Sequence, residues 1–103
     1  MPSLLNNVRI LDLSRMLAGP YGSMLLGDLG AEVIKIEEPP AGDFTRTPAQ
    51  YHMGGIGAYF LAINRNKKSM VLNLTTPVGR EVFHDLVRIS DVVFDNLRPA
   101  VLK

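Results

Sequence analysis

Residues 9–37 read RILDLSRMLAGPYGSMLLGDLGAEVIKIE, and this stretch decides the fold. Val8 to Leu13 is apolar and β-branched enough for a strand covered on both faces, with its polar residues near the ends. Ser14 to Gly19 makes the crossing loop. Pro20 suits the first turn of a helix, where a missing N–H costs nothing. That helix is predicted to reach about Leu29, with Met24, Leu25 and Leu29 on one apolar stripe and Gly30 as its C-terminal cap. Ala31 to Ile36 is a second strand, in which the exposure of Glu32 and Lys35 decides their roles. Strand, helix and strand make one βαβ unit, and open parallel sheets built from such units place their ligands at the carboxyl ends of the strands.

Downstream, a polar stretch from Glu37 to about Gly55 holds Pro39, Pro40, Gly42, Pro48 and Gly54. It is longer than most connections in α/β domains, and long loops in compact domains commonly serve function. Ile56 to Ile63 is predicted as a short apolar helix and Lys68 to Leu74 as a third strand. Thr76 then stands as N-cap with Pro77 at the first helical position, and Val82, Phe83, Leu86 and Val87 give that helix an apolar face. Asp91 to Asp95 is a fourth strand. Strands alternating with helices imply an α/β fold, a parallel sheet of about four strands with helices on both faces.

The 103 residues are expected to form one segment rather than several domains. Hydrophobic residues make up 47% and charged residues 20%, an ordinary globular balance, and the net charge of +1 gives no electrostatic case for nucleic acid or an anionic membrane as partner. Cysteine is absent, which excludes disulfides, thiol nucleophiles and Cys-ligated metal within these residues. His52 and His84 stand far apart without partners at metal-ligand spacing, so no metal site is expected. Neither a leader-like N-terminus nor an apolar run of roughly 18 residues is present, which points to a soluble, cytoplasmic protein.

The glycines of the first turn, at 19, 22, 27 and 30, match neither the dinucleotide fingerprint nor a P-loop. Gly19-Pro20 either presents helix N–H groups to a ligand or only permits close helix–sheet packing. Glu37 ends the second strand where a ribose-binding acid would sit, and is equally readable as a solvated strand-end acid, as is Glu38. Asn64 to Lys68 is basic enough to meet phosphate, or it only complements a helix dipole. Asn96-Leu97-Arg98-Pro99 leaves the fourth strand at the ligand edge, or is an ordinary exit closed by proline.

Four phrases taken together resemble the class III CoA-transferase family, which includes formyl-CoA and carnitine-CoA transferases and the related 2-methylacyl-CoA racemases. They are ILDLSRMLAGPYGSMLLGDLGAEVIKIE, GDFTR at Gly42 to Arg46, YFLAINRNKKSMVLNL at Tyr59 to Leu74, and SDVVFDNLRP at Ser90 to Pro99. The chain looks closest to the transferase side.

The resemblance implies a Rossmann-like large domain of which these residues form the N-terminal part, in a longer polypeptide that pairs as an interlocked homodimer. It also implies acyl-CoA and a carboxylate acceptor as substrates, with coenzyme A a substrate and no tightly bound cofactor. Family chemistry runs through an aspartate that becomes an acyl-CoA anhydride and then a thioester, a nucleophilic route. That aspartate lies beyond position 103, so Asp12, Asp28, Asp43 and Asp91 are not promoted in its place. Carried over by position, the CoA contacts fall on Leu17 and Ala18, on Glu38, on Leu72, Asn73, Leu74 and Thr75, and on Asn96, Leu97 and Arg98. Position 38 is often Arg in the family and is Glu here, and position 75 is Thr where some members carry a longer cation. CoA affinity would then either shift to Arg65, Lys67, Lys68 or Arg98, or be weak. Under this reading Glu37 becomes a strand-end acid. The alternatives are a racemase-like isomerase and a non-catalytic CoA-binding or interaction module.

Overall fold

A computed structural model describes residues 4–46, 52–53 and 56–97. Its elements in chain order are β1 (Arg9–Asp12), α1 (Ala18–Asp28), β2 (Glu32–Glu37), a 3-10 turn (Phe44–Arg46), β3 (His52–Met53), β4 (Ile56–Gly57), α2 (Ala58–Ile63), β5 (Lys68–Val71), α3 (Pro77–Arg88) and β6 (Val92–Phe94). β1, β2, β5 and β6 form one parallel sheet in the order β5-β2-β1-β6, while β3 and β4 pair as a separate antiparallel ribbon.

The chain steps outward from β1 to β2 to β5, then returns past both to place β6 on the far side of β1. With right-handed crossovers this reversal sends α1 and α2 to one face and α3 to the other. The core lies beneath α1, where Ile10, Ala31 and Val33 are buried against Leu5, Val8, Leu26 and Phe94.

α1 begins at Ala18, two residues before the expected Pro20, and ends as expected. Gly30 has φ 110°, its N–H donates to Gly27 O at 3.0 Å, and that of Ala31 donates to Leu26 O at 3.2 Å. These are the paired bonds of a Schellman cap, in which glycine takes the left-handed position. The apolar stripe is different from the expected one. Met24 is buried, but Leu25 and Leu29 are 45% and 44% exposed, and the buried side of the helix is Gly19, Pro20, Ser23 and Met24. Small residues bring this helix onto the sheet. A Cβ on Gly19 would stand 2.4 Å from Ser14 Cβ, so the close-packing role of that glycine is realised.

The described residues of the stretch from Glu37 onward include regular structure. They contain the 3-10 turn and β3, which puts His52 in a strand rather than a loop, and Ile56–Gly57 form β4 ahead of α2. α3 starts as expected, with Thr76 Oγ1 accepting from Gly79 N at 3.0 Å and Pro77 inside the first turn. Val82, Phe83 and Leu86 are half-buried along it, whereas Val78 and Val87 stay exposed. Among the described residues no helix is long and apolar enough to cross a membrane.

Candidate functional site

Strand alternation directs Asp12, Lys35 and Glu37 to one face of the sheet, and all three are buried. Charge in that position requires partners. Asp12 Oδ2 pairs with Lys67 Nζ at 3.0 Å, with both side chains essentially inaccessible. Ser23 Oγ donates to the same oxygen at 2.5 Å, and Ser14 bonds Oδ1 through its amide and its hydroxyl. Lys67 Nζ also donates to Pro20 O at 3.0 Å and Asn64 Oδ1 at 2.8 Å. Burial holds the Lys67 ammonium below its ordinary pKa, and Asp12 partly offsets this. Lys35 pairs with Asp43 at 2.8 Å and donates to Ser14 O at 3.1 Å.

Glu37 is the anchor of the loop that follows it. Arg46 grips the carboxylate with two bonds, Nε to Oε1 at 2.6 Å and Nη2 to Oε2 at 2.8 Å, while Asp43 N donates at 2.9 Å and Ser69 Oγ also donates. Burial pushes the Glu37 pKa up, but the bonds from Arg46, Asp43 and Ser69 outweigh it and lower it to about 2. The Arg46 guanidinium lies 4.0 Å from the centroid of the Phe60 ring. Glu37 is therefore not a solvated strand-end acid, and with both oxygens engaged it is not poised for a ribose hydroxyl.

The folded-back loop and the strand ends enclose a cleft of about 260 Å³ at the carboxyl edge of the sheet. Leu13, Ser14 and Arg15 after β1, Glu38 after β2, Gly42 and Asp43 of the loop, Leu72 and Leu74 after β5, and Leu97 after β6 all line it. Beside it, where the strand order reverses between β1 and β6, Asn96 Oδ1 accepts from Arg15 N at 3.0 Å and Asn96 Nδ2 donates to Arg15 O at 2.8 Å. Ligands of doubly wound sheets bind at such a reversal.

Of the residues singled out from the sequence, Glu38, Leu72, Leu74 and Leu97 meet in this cleft. Asn96 fastens one of its walls. Leu17 and Ala18 are exposed at the start of α1. Asn73 and Thr75 are exposed and bond each other, Thr75 N and Oγ1 donating to Asn73 Oδ1 at 3.0 and 2.6 Å in a turn that leads into α3. Arg98 lies outside the described residues.

The basic run is not a free phosphate site. Arg65 pairs with Asp28 at 2.6 Å, Lys67 with Asp12, and Lys68 with Glu32 at 2.9 Å, at the amino end of β2. Two features escaped the sequence reading: Arg15, whose half-exposed side chain stands at the cleft, and the buried ion pairs below it. Lys35 inside AEVIKI was a usable signal, because a lysine in an otherwise buried strand demands an acid. Among the described residues no group of three or more His, Asp or Glu side chains is placed to hold a metal ion.

A doubly wound α/β sheet with a cleft at the carboxyl ends of its strands places the fold in the Rossmann-like class, in which ligands bind at that edge. The chain belongs to CoA-transferase family III, whose sequence model matches residues 5–103. It is 49% identical over 98 residues to the human succinyl-CoA:glutarate CoA-transferase, covering 95% of this chain and 22% of that protein. With the succinyl-CoA:mesaconate CoA-transferase of Haloarcula marismortui it shares 43% over 103 residues, covering 96% and 26%. A crystal structure of a CAIB/BAIF family protein from Brucella suis superposes with a TM-score of 0.89 at 40% identity, covering 99% of this chain and 28% of that one. The chain thus spans about a quarter of the length of these relatives.

Proposed function

We propose that these residues are the N-terminal segment of an acyl-CoA:carboxylate CoA-transferase and supply one wall of its CoA site. The observation that carries this is the convergence of all four strand ends on one cleft at the carboxyl edge, in a chain of this family. The CoA site is assigned to positions Leu17, Ala18, Glu38, Leu72, Asn73, Leu74, Thr75, Asn96, Leu97 and Arg98, with Leu72, Leu74 and Leu97 as the apolar floor and Glu38 at the rim. The names of the relatives above support a transferase over an isomerase. The same reading carries an interlocked homodimer of the longer polypeptide and a cytoplasmic location.

Catalysis is assigned to an aspartate outside these residues. Asp12 and Asp43 are buried in ion pairs, Asp28 pairs with Arg65, and Asp91 Oδ2 accepts from Arg9 N at 2.9 Å. The first three are engaged in ion pairs, and Asp91 stands at the amino end of β6, away from the cleft at the carboxyl edge. The test is a CoA-transfer assay with succinyl-CoA and glutarate, run on the 103-residue chain and on the full natural gene product. Transfer by the full product and none by the chain alone is expected. Turnover by the chain alone would overturn the assignment of the nucleophile, and a full product that neither binds CoA nor transfers it would overturn the function.

A further inference from the structure

At the carboxyl edge of the sheet the nearby cations differ in what they are free to do. Lys35 is sealed against Asp43 and Arg46 against Glu37. The Arg15 side chain is 48% exposed, and its only carboxylate neighbour among the described residues is Glu38, with Nη2 to Oε2 at 4.0 Å and Glu38 itself 54% exposed. Both residues line the cleft. Their backbones are held: Arg15 by the two bonds to Asn96, and Glu38 through its carbonyl, which accepts from Gly42 N at 2.8 Å. Only the side chains need move for the pair to open.

Strand alternation makes this arrangement from two adjacent acids. Glu37 turns inward and is consumed by Arg46, so Glu38 turns outward and faces the opening. A long, single-point, exposed ion pair is weak, and a phosphate offers Arg15 a better geometry than Glu38 does.

We propose that Glu38 is a built-in competitor for Arg15: the cleft binds the phosphates of its ligand through the Arg15 guanidinium, and the Glu38 carboxylate holds that guanidinium until an anion displaces it. Glu38 thereby lowers the affinity for anionic ligand and favours its release. This rests on the CoA reading above for the identity of the ligand. The pairing itself rests on the geometry alone.

The experiment is calorimetric titration of the full natural gene product, with CoA and separately with inorganic pyrophosphate, in the wild type, Glu38→Gln, Arg15→Gln and the double variant. Both side chains are half exposed, so melting temperatures are expected to stay close to wild type. Glu38→Gln should tighten both ligands by about 3- to 10-fold and Arg15→Gln should weaken both by a similar factor, the scale of one partly screened charge. The double variant should match Arg15→Gln, because Glu38 acts through Arg15. Unchanged or weaker binding in Glu38→Gln overturns the proposal, as does a gain that survives in the Arg15→Gln background. If pyrophosphate keeps the expected ordering while CoA does not bind, the competitor stands and the CoA reading falls. A flat pyrophosphate series removes the competitor whatever CoA does.

Discussion

Asn96 and Arg15 are locked to each other by reciprocal hydrogen bonds, the Asn96 amide donating to Arg15 O and accepting from Arg15 N. One side chain thus splints the loop after β1 to the end of β6, the two neighbouring strands between which the chain order reverses. Each such bond contributes about 1 kcal/mol. Asn96→Ala is therefore expected to cost about 1–2 kcal/mol in chemical denaturation, and Asn96→Asp, which sets a carboxylate oxygen against the Arg15 carbonyl in place of the donor, at least as much. CoA affinity should fall in both, in the same order. Equal stability of the wild type and Asn96→Ala would show that the splint carries no energy.

Glu37 predicts an acid transition. Its carboxyl is held to about 2 in the fold, against 4.5 unfolded, and Asp43 is likewise lowered by Lys35 and Thr45 despite its burial. A depressed carboxylate contributes stability that is complete above its unfolded pKa and lost as pH falls toward its folded pKa. Stability should accordingly decline from about pH 4.5 towards pH 2, with Glu37 accounting for about 2–3 kcal/mol of the loss. The check is urea denaturation at a series of pH values. Glu37→Gln should flatten that slope while lowering stability at neutral pH, and an unchanged slope would contradict the assignment.

What could be read from the residues was what depends on local chemistry. Gly30 as a left-handed cap, Thr76-Pro77 as a helix start and the βαβ order follow from backbone preferences that few contexts override. Leu25 and Leu29 misled because an apolar stripe implies a buried face only when bulk drives the packing, whereas here Gly19 and Ser23 set the contact and push the leucines outward. In the site, Leu72, Leu74 and Leu97 came by position from the family resemblance, and the strand ends bring them to one cleft. Arg15, Lys67 and Asp43 could not be placed, because their partners lie 23, 55 and 8 residues away in sequence, as the pairs Arg15–Glu38, Lys67–Asp12 and Asp43–Lys35 show. No periodicity encodes such pairings.

The Asp12–Lys67 pair joins β1 to the residue just ahead of β5 beneath α1, with both side chains almost fully buried. Removing one partner of a buried ion pair leaves an uncompensated charge and costs about 3–5 kcal/mol. Lys67→Met should therefore destabilise strongly, since Asp12 would keep only its serine donors. Replacing both groups, as in Asp12→Asn with Lys67→Met, is expected to recover part of that loss. Thermal unfolding of the two variants measures it, and a double variant less stable than Lys67→Met alone would mean that the pair is not the interaction at stake.

Two glycines in the same helix should respond to alanine with opposite signs. At Gly19 the added Cβ would meet Ser14 Cβ at 2.4 Å and Asn96 Cγ at 3.2 Å, so either β1's loop or the Asn96 splint must shift. Overpacking of this kind costs about 1–3 kcal/mol, more than the gain in helix propensity returns. At Gly22 the nearest atom, Phe94 Cζ, is at an ordinary 3.4 Å, and exchanging glycine for alanine inside a helix stabilises by about 0.5–1 kcal/mol. Gly19→Ala should thus lower the melting temperature and weaken CoA binding, because the displaced atoms belong to the cleft wall. Gly22→Ala should raise the melting temperature and leave binding unchanged. If both variants moved in the same direction, α1 would not be seated on the sheet by contact at Gly19, and the close approach of helix, loop and Asn96 would lose its support.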